Sequence, residues 1–173
     1  SRGGMGSVYE ALHTTIERRV AIKILDRSSS KNSDMSARFL NEARAVNLVE
    51  DPGLVEVLEF GQLADESPYL VMEFLRGEAL SQRLSQRLAL PLSEAVRLMR
   101  QLAATLCAVH DQGIVHRDLK PENVMLVPDR EAPGGERTKL LDFGIAKITE
   151  PGGRRGLTAT RSIMGTPLYM SPE

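Results

Sequence analysis

The sequence has few of the features that mark particular classes of protein. Cys107 is the only cysteine in 173 residues, so an intramolecular disulfide is excluded and a reducing compartment is indicated. The formal net charge of −1 gives no reason to expect nucleic acid or a membrane surface as a partner. No apolar run is long enough to span a bilayer, and the start does not resemble a signal peptide. We therefore expect a cytoplasmic domain that makes no membrane contact through this segment.

The overall amino-acid composition is that of an ordinary globular domain. Hydrophobic residues make up 42% of the chain, which is enough apolar material for one domain with a real core. Cys107 falls in a segment of helical apolar periodicity, so we expect a buried and unreactive thiol. The chain lacks an initiating methionine, so we expect it to be a piece of a longer polypeptide. Whether that polypeptide has a membrane anchor elsewhere is left open.

Chemically useful side chains are concentrated in His-Arg-Asp-Leu-Lys-Pro-Glu-Asn at residues 116–123 and in Asp-Phe-Gly at residues 142–144. Alone, Asp-Leu-Lys-Pro is typical of a solvated turn, because proline cannot continue a helix. Adding Asn123 and Asp142 changes this interpretation, because their oxygen atoms are suitable ligands for a divalent cation. Lys120 could neutralise phosphate and Asp118 could orient a hydroxyl group. The set therefore predicts a site for phosphate and metal.

Residues 3–9, Gly-Gly-Met-Gly-Ser-Val-Tyr, form a glycine-rich segment that leads to a strand-like sequence at residues 20–25. A dinucleotide-binding loop would instead open a helix after its last glycine. A strand–loop–strand arrangement lets backbone amides lie over phosphates without obstruction from side chains. A glycine-rich hairpin tip without a ligand explains the segment alone equally well.

Lys23 lies inside the otherwise apolar strand at residues 20–25. Burying an unpaired ammonium group is costly, so Lys23 needs a counter-charge. Residues 34–49 carry apolar side chains at helical spacing, with Glu42 on an adjoining face. We therefore expect Glu42 to hold Lys23 against the phosphates of a nucleotide. The alternative is that Glu42 is a solvated helix residue.

The middle of the chain predicts a change from strands to helices. Residues 54–58 and 69–75 are short apolar strand candidates, and Arg76-Gly77 breaks the second one. Three leucines at helical spacing follow the break: Leu80, Leu84 and Leu88. A cleft between two such halves is a common place for a flat apolar cofactor.

A longer helix is predicted next, with Ser93 as its N-cap. Its core-facing stripe is expected to be Val96, Met99, Ala103, Leu106 and Val109. Residues 124–127 and 139–141 predict two short strands joined by an exposed loop at residues 128–138. That connection would return Asp142 to the side of Asn123, as shared metal ligation requires.

In this order, the motifs resemble those of protein kinases, specifically the eukaryotic-like serine/threonine kinases of bacteria. The matching motifs are Gly-Gly-Met-Gly-Ser-Val-Tyr, Val-Ala-Ile-Lys, His-Arg-Asp-Leu-Lys-Pro-Glu-Asn, Asp-Phe-Gly and Gly-Thr-Pro-Leu-Tyr-Met-Ser-Pro-Glu. The resemblance implies an α+β, bilobal fold. A small β-rich N-lobe with one long helix and the hinge would occupy residues 1–75, and a partial, mainly helical C-lobe would occupy residues 76–173.

The resemblance also implies ATP as phosphoryl donor and Mg²⁺ (or Mn²⁺) as the metal. Asp118 would be the catalytic base, Lys120 a phosphate contact, and Asn123 and Asp142 the metal ligands. Lys23, paired with Glu42, would bind the α- and β-phosphates. The other nucleotide contacts implied by the family lie in the glycine-rich loop, the adenine pocket and the hinge: Gly3, Gly4, Gly6, Val8, Ala21, Met72, Glu73, Leu75 and Met125.

Lys120 together with Thr166, in the substrate-side loop, resembles the serine/threonine-specific version of the family. The activation segment would span residues 142–173, and Arg117 beside the base implies control by phosphorylation. The expected acceptors in that segment are Thr158, Thr160 and Ser162, and the alternative is that these are only solvated loop residues. The family further implies signalling through protein substrates and a homodimer for autophosphorylation.

The sequence departs from the family pattern in places. Ser1 stands where the first loop glycine is usual, and Ser171 where alanine is usual. The first strand of the small lobe and the helices expected after Glu173 are missing, so this piece alone is expected to be weakly stable and weakly active or inactive. A nucleotide-binding scaffold without activity and a small-molecule phosphotransferase are the alternative functions.

Overall fold

The computed structural model describes residues 2–3, 6–25, 47–87, 89–142 and Tyr169, with the backbone alone for residues 2 and 3. Within these residues, the first half of the chain forms a five-stranded antiparallel sheet in the order β1-β2-β3-β5-β4. The strands are β1 Arg2–Gly3, β2 Gly6–His13, β3 Arg18–Leu25, β4 Val57–Gln62 and β5 Pro68–Glu73. The predicted β-rich first half is confirmed.

Strand β3 lies at the centre of this sheet and carries Lys23. In the register of the sheet, Val8 of β2 and Leu70 of β5 lie opposite Lys23 on either side. Side chains alternate between the faces of a strand, so Ala21 shares the face of Lys23, and Met72 lies opposite Ala21. Leu70 is buried with Leu25 in the small core of this half, so the face that carries Lys23 is the inner one.

The second half consists of two α-helices and a three-stranded antiparallel sheet in the order β6-β7-β8. The elements are β6 Glu78–Ala79, α1 Leu80–Arg87, α2 Leu92–Asp111, β7 Val124–Pro128 and β8 Glu136–Leu140, with 3-10 turns at Pro121–Asn123 and Pro133–Gly135. The larger core lies between α2 and this sheet. Its buried residues are Leu54, Leu80, Leu98, Leu102, Val109, Val124, Leu126 and Leu140.

The segment before β4 belongs structurally to the second half, although it precedes the first half's last two strands in sequence. Leu140 donates its backbone N–H to the oxygen of Gly53 over 2.7 Å, and Val55 donates to the oxygen of Leu140 over 3.2 Å. Leu54 forms a parallel bridge with Leu140 and is buried in the larger core. The predicted strand at residues 54–58 is therefore wrong for its first three residues, because β4 begins only at Val57.

The sequence correctly predicts a long helix at α2 but misjudges its start. The helix begins at Leu92, Pro91 occupies the N-cap position, and Ala95 donates its N–H to the oxygen of Pro91 over 2.9 Å. Ser93 therefore lies inside the first turn and is not the N-cap. Proline is tolerated at this end of a helix because it has no N–H to leave unsatisfied.

The predicted core stripe of α2 is also largely wrong. Val96 and Met99 are half exposed, and Ala103 is exposed. The buried row is instead Leu98, Leu102, Thr105 and Val109, because this is the face that packs against the sheet at β8. Of the predicted stripe, Val109 is buried and Leu106 packs against the core. Cys107 is exposed, so the expected buried thiol is wrong as well.

The two strands predicted around the variable loop are present and are longer than expected. Their ladder runs from Val124 opposite Leu140 to Pro128 opposite Glu136. The connecting loop therefore covers only residues 129–135, whereas residues 128–138 were predicted. The pairing thus includes polar positions of β8, where Glu136, Arg137 and Lys139 each have an ion-pair partner.

Arg83, the partner of Glu136 on β8, is the centre of a largely buried group of charges. We call this group the Arg83 cluster; it comprises Arg83, Glu78, Glu94 and Glu136. The guanidinium group of Arg83 binds both carboxylate oxygens of Glu136 over 2.6 and 2.7 Å. It also donates to Glu78 over 2.8 Å and to Glu94 over 2.9 Å. The hydrogen bonds to Glu136 raise the pKa of Arg83, and in return they lower the pKa of Glu136. The cluster joins α1 to β6, α2 and β8.

Candidate active site

The run at residues 116–123 follows the end of α2 and presents a compact polar cluster. Asp118 is its centre: the ammonium group of Lys120 lies 3.1 Å from Oδ2 of Asp118. Nδ2 of Asn123 donates to the backbone oxygen of Asp118 over 2.8 Å and to Oδ2 over 3.3 Å. Asn123 is buried, so its position is well defined by these contacts. The structure therefore brings together three of the residues that the sequence predicts as functional.

His116 anchors this loop to the strand that leads to Asp142. Its ring is buried, Nε2 lies 2.8 Å from the oxygen of Leu141, and Nδ1 accepts from the N–H of Asp118 over 3.3 Å. A nitrogen facing a carbonyl must donate and one facing an N–H must accept, so these partners assign a neutral imidazole with its proton on Nε2. Leu141 also donates its N–H to the oxygen of Asn123 over 2.8 Å. Asp142 is thus tied to the loop as predicted, through the residue before it.

Asp142 reaches the other half of the molecule through Lys23. Nζ of Lys23 donates to Oδ1 of Asp142 over 2.7 Å, across 119 residues of sequence. The Lys23 side chain is only 13% exposed, so the pair lies at the inner edge of the first sheet. The sequence identifies both residues but misses this contact. Glu42, the expected partner of Lys23, lies outside the described residues.

The backbone of the site is held in a sparsely populated conformation at two positions. Arg117 has φ of 63° and Asp142 has φ of 45°, although neither residue is glycine. Such positive φ angles cost free energy and persist only where surrounding contacts hold them. At Asp142 those contacts are the bonds of Leu141 to the loop and the ion pair with Lys23. The strain thus lies at Arg117, which directly precedes Asp118, and at Asp142 itself.

The inner face of the first sheet offers the surface on which a flat apolar group could lie. Val8, Ala21 and Met72 share this face with Lys23 through the register of β2, β3 and β5. Met125 lies on β7, the strand that follows Asn123 directly. Glu73 is the last residue of β5, and Leu75 lies two residues beyond it. Of the adenine-pocket residues implied by the resemblance, Val8, Ala21 and Met72 therefore share one face of the first sheet, whereas Met125 belongs to the second sheet.

The glycines of the loop are required in part by the hairpin itself. A Cβ on Gly6 would lie 2.2 Å from the carbonyl oxygen of Ile24 in β3, a distance that no side chain tolerates. Gly3, in the short strand β1, pairs with Gly6 at the start of β2. Close backbone packing therefore explains Gly6 without a ligand, and Gly4 lies outside the described residues. The phosphate-binding role of these glycines stays a prediction.

Asn123 and Asp142 fit a divalent cation of the magnesium type. The amide nitrogen of Asn123 is engaged with Asp118, which leaves its oxygen as the ligand atom. The carboxylate of Asp142 is 46% exposed and can bind a cation beside Lys23. Two oxygen ligands supplemented by water and substrate phosphates are what Mg²⁺ usually takes. In the described part of the chain there is no cluster of three or more His, Cys, Asp or Glu side chains that could hold a metal ion.

The remaining predicted site residues cannot be placed. Thr158, Thr160, Ser162 and Thr166 lie outside the described residues, so their roles stay predictions. Of the helices that the structure describes, neither is long and apolar enough to cross a membrane.

The whole chain, residues 1–173, matches the protein kinase domain family, and the chain belongs to this family. Serine/threonine-protein kinase pkn2 of Myxococcus xanthus is 43% identical over 171 residues, which are 99% of this chain and 20% of that protein. Serine/threonine-protein kinase PknA of Mycobacterium tuberculosis is 37% identical over 175 residues, which are 99% of this chain and 38% of that protein. The family resemblance seen in the motifs is confirmed.

Solved structures agree with the fold. The PknI kinase domain of Mycobacterium tuberculosis has a TM-score of 0.68 at 27% identity, over 87% of this chain and 58% of that chain. The bilobal kinase fold is confirmed. Members of the family in general use ATP and a divalent cation. The chain spans between about a fifth and two fifths of the length of the curated relatives named above.

Proposed function

We propose that the protein transfers the γ-phosphoryl group of ATP to serine or threonine hydroxyl groups of proteins, itself included, in signalling. The observation that carries the proposal is the connected chain of contacts from Lys23 through Asp142 and Leu141 to Asn123 and Asp118. A phosphate-binding cation, two metal ligands and a base thereby converge from both halves of the fold. The relatives are named serine/threonine-protein kinases, which supports serine and threonine hydroxyl groups as the acceptors.

Asp118 and Lys120 would act at the acceptor hydroxyl group. The transition state of phosphoryl transfer is loose, so positioning and charge stabilisation supply most of the catalysis. Asp118 would orient the hydroxyl and accept its proton as the bond to phosphorus forms. Lys120, 3.1 Å from Asp118, would offset the negative charge on the transferred group.

The inner face of the first sheet would hold the nucleotide. Lys23 would bind the α- and β-phosphates, with Glu42 as a further partner. The adenine ring would lie among Val8, Ala21, Met72 and Met125, with backbone groups of Glu73 and Leu75 at its edge, and the amides of Gly3, Gly4 and Gly6 would cover the phosphates. A divalent cation on Asn123 and Asp142 would neutralise phosphate charge when bound.

The family resemblance also supports proposals on domain bounds, regulation by phosphorylation, location and dimerisation. Residues 1–75 would form the N-lobe and hinge, and residues 76–173 part of the C-lobe, with the activation segment at residues 142–173. Phosphate added to that segment would pair with Arg117 beside the base. The acceptors would be Thr158, Thr160 and Ser162, with Thr166 beside the substrate. A cytoplasmic location and a homodimer for autophosphorylation complete the proposal.

The test is transfer of labelled phosphate from ATP with Mg²⁺ by the purified full-length protein and by its Asp118→Asn variant. Because the amide cannot accept the proton, we expect the variant to lose transfer by at least about 100-fold while still binding ATP. Asp111→Asn is the matched control, since Asp111 is exposed at the end of α2. The labelled amino acid should be phosphoserine or phosphothreonine.

Other results would contradict the proposal in distinct ways. ATP binding without transfer by the parent protein would identify a nucleotide-binding scaffold. Transfer at equal rates by the parent and Asp118→Asn would show that Asp118 is not the base. Label found on an added small alcohol but never on protein would indicate a small-molecule phosphotransferase.

A further inference from the structure

Lys139 and Glu73 form an ion pair where the two halves of the fold meet, and we call them the hinge pair. Nζ of Lys139, on β8, lies 2.5 Å from Oε1 of Glu73, the last residue of β5. Their side chains are only 16% and 18% exposed. The pair therefore connects the hinge to the strand that leads to Asp142.

Each partner of the hinge pair also holds the segment before β4. Lys139 donates to the backbone oxygen of Leu54 over 2.9 Å. The carboxylate of Glu73 accepts from the backbone N–H of Glu56 over 2.9 Å, and the N–H of Glu73 donates to the oxygen of Glu56 over 3.0 Å. The segment before β4 and the end of β5 are thus both joined to β8 at one point.

Two directional hydrogen bonds hold Lys139 in this position. A cavity of about 490 Å³ lies beside it, lined mainly by residues of the segment before β4, among them Asn47 and Glu56, and by Val57 at the start of β4. A side chain that borders a cavity lacks packing contacts on that side. A partly buried ion pair adds little net stability over an apolar pair, but its directional bonds permit one geometry. The pair is therefore suited to fixing position.

The groups that the hinge pair fixes are the two ends of the proposed nucleotide site. Glu73 supplies backbone that would lie against adenine, and Asp142 follows Lys139 by three residues at the phosphate end. The strained φ of 45° at Asp142 needs support from the chain before it. We propose that Lys139 and Glu73 are positioning residues that hold the adenine end and the phosphate end of the site at the separation that ATP requires.

This inference rests on the proposed function, and steady-state kinetics with ATP tests it. In Lys139→Met, fewer molecules have both ends in place before ATP binds, so the apparent affinity falls. We expect KM for ATP to rise about 5- to 20-fold, as for typical coupled sites, with kcat little changed. Glu73→Gln should raise KM less, and the double variant should be no worse than Lys139→Met. Lys139→Arg should restore most of the affinity.

Arg137→Met is the matched control, because Arg137 lies on the same strand and pairs with Asp129 at the other end of β8. Its KM for ATP should equal that of the parent. Without nucleotide, hydrogen exchange at the amides of Glu56 and Glu73 should be faster in Lys139→Met than in Arg137→Met. This second measurement needs no catalytic activity.

The inference is overturned if Lys139→Met lowers the melting temperature and leaves KM and the exchange pattern as in the parent, since the pair would then be structural only. It is also overturned if KM falls, since the pair would then restrain the site. A parent protein that transfers no phosphate would contradict the proposed function instead, and the exchange experiment would still decide the inference.

Discussion

The Arg83 cluster and the hinge pair are both partly buried groups of charges, but they differ in what they connect. Arg83 binds three carboxylates from β6, α2 and β8, all within the second half, and two of its bonds go to Glu136 alone. The hinge pair has one ion-pair contact and reaches from β8 to the end of β5. One group is saturated and internal to a half, whereas the other is sparse and lies between halves.

This difference separates stability from positioning. Removing Arg83 leaves three partly buried carboxylates without the cation that they share. Removing Lys139 leaves a single carboxylate, that of Glu73, which keeps its hydrogen bond from the N–H of Glu56. We therefore expect the Arg83 cluster to govern the free energy of unfolding and the hinge pair to govern the affinity for ATP.

The largest effect on stability is expected from Arg83→Met. Glu78, Glu94 and Glu136 would lose their shared partner, at a cost of about 3 kcal/mol or more in the free energy of unfolding. Urea unfolding followed by circular dichroism measures it. Arg87→Met is the control, because the Arg87 side chain is 53% exposed and pairs with Glu94 over 3.3 Å at the surface, so its loss should cost less than about 1 kcal/mol. Equal costs for the two variants would remove the distinction drawn between the two groups of charges.

A smaller loss is expected from Lys139→Met. Glu73 keeps its bond from the N–H of Glu56, so only the charged contacts of Lys139 are lost, at about 2 kcal/mol. The same urea experiment measures this loss, and KM for ATP is determined on the same preparation. A loss larger than that of Arg83→Met would show that the hinge pair, too, serves mainly for stability.

The smallest effect is expected from Glu136→Gln and depends on pH. The hydrogen bonds from Arg83 lower the pKa of Glu136 in the folded protein. Its contribution is therefore fully present above the ordinary glutamate pKa of about 4.3 and is lost as the pH falls through the lower folded-state pKa. We expect the variant to be about 1 kcal/mol less stable at pH 7, and this difference to shrink below about pH 5. A difference that stays constant down to pH 3 would contradict the assigned cause.

The loop at residues 116–123 shows how far local sequence can predict a candidate site. Asp118, Lys120 and Asn123 lie within six residues, so a single turn brings them together, and the structure has them in contact. The cost of burying an ammonium group inside an apolar strand correctly predicted that Lys23 needs a negatively charged partner. Its observed partner, Asp142, was expected only as a metal ligand, because the contact depends on how the halves meet.

Helix α2 shows where the same reasoning fails. Apolar residues lie on more than one face of it, and the hydrophobic effect has no direction of its own. Packing against β8 buries the row that contains Leu98 and Leu102, which leaves Val96 and Met99 half exposed. Cys107 is exposed for the same reason. Which apolar stripe becomes core is thus decided by the neighbouring sheet.

The sequence by itself determined the family, the change from strands to helices, and the candidate residues for the proposed chemistry, because each depends on residue types at short spacing. Tertiary structure alone decided the Lys23–Asp142 contact, the Arg83 cluster and the hinge pair, whose partners lie up to 119 residues apart. Charged side chains find such partners only after burial has brought their strands and helices together. Burial depends on the packing of whole elements, and short spacing in the sequence does not encode it.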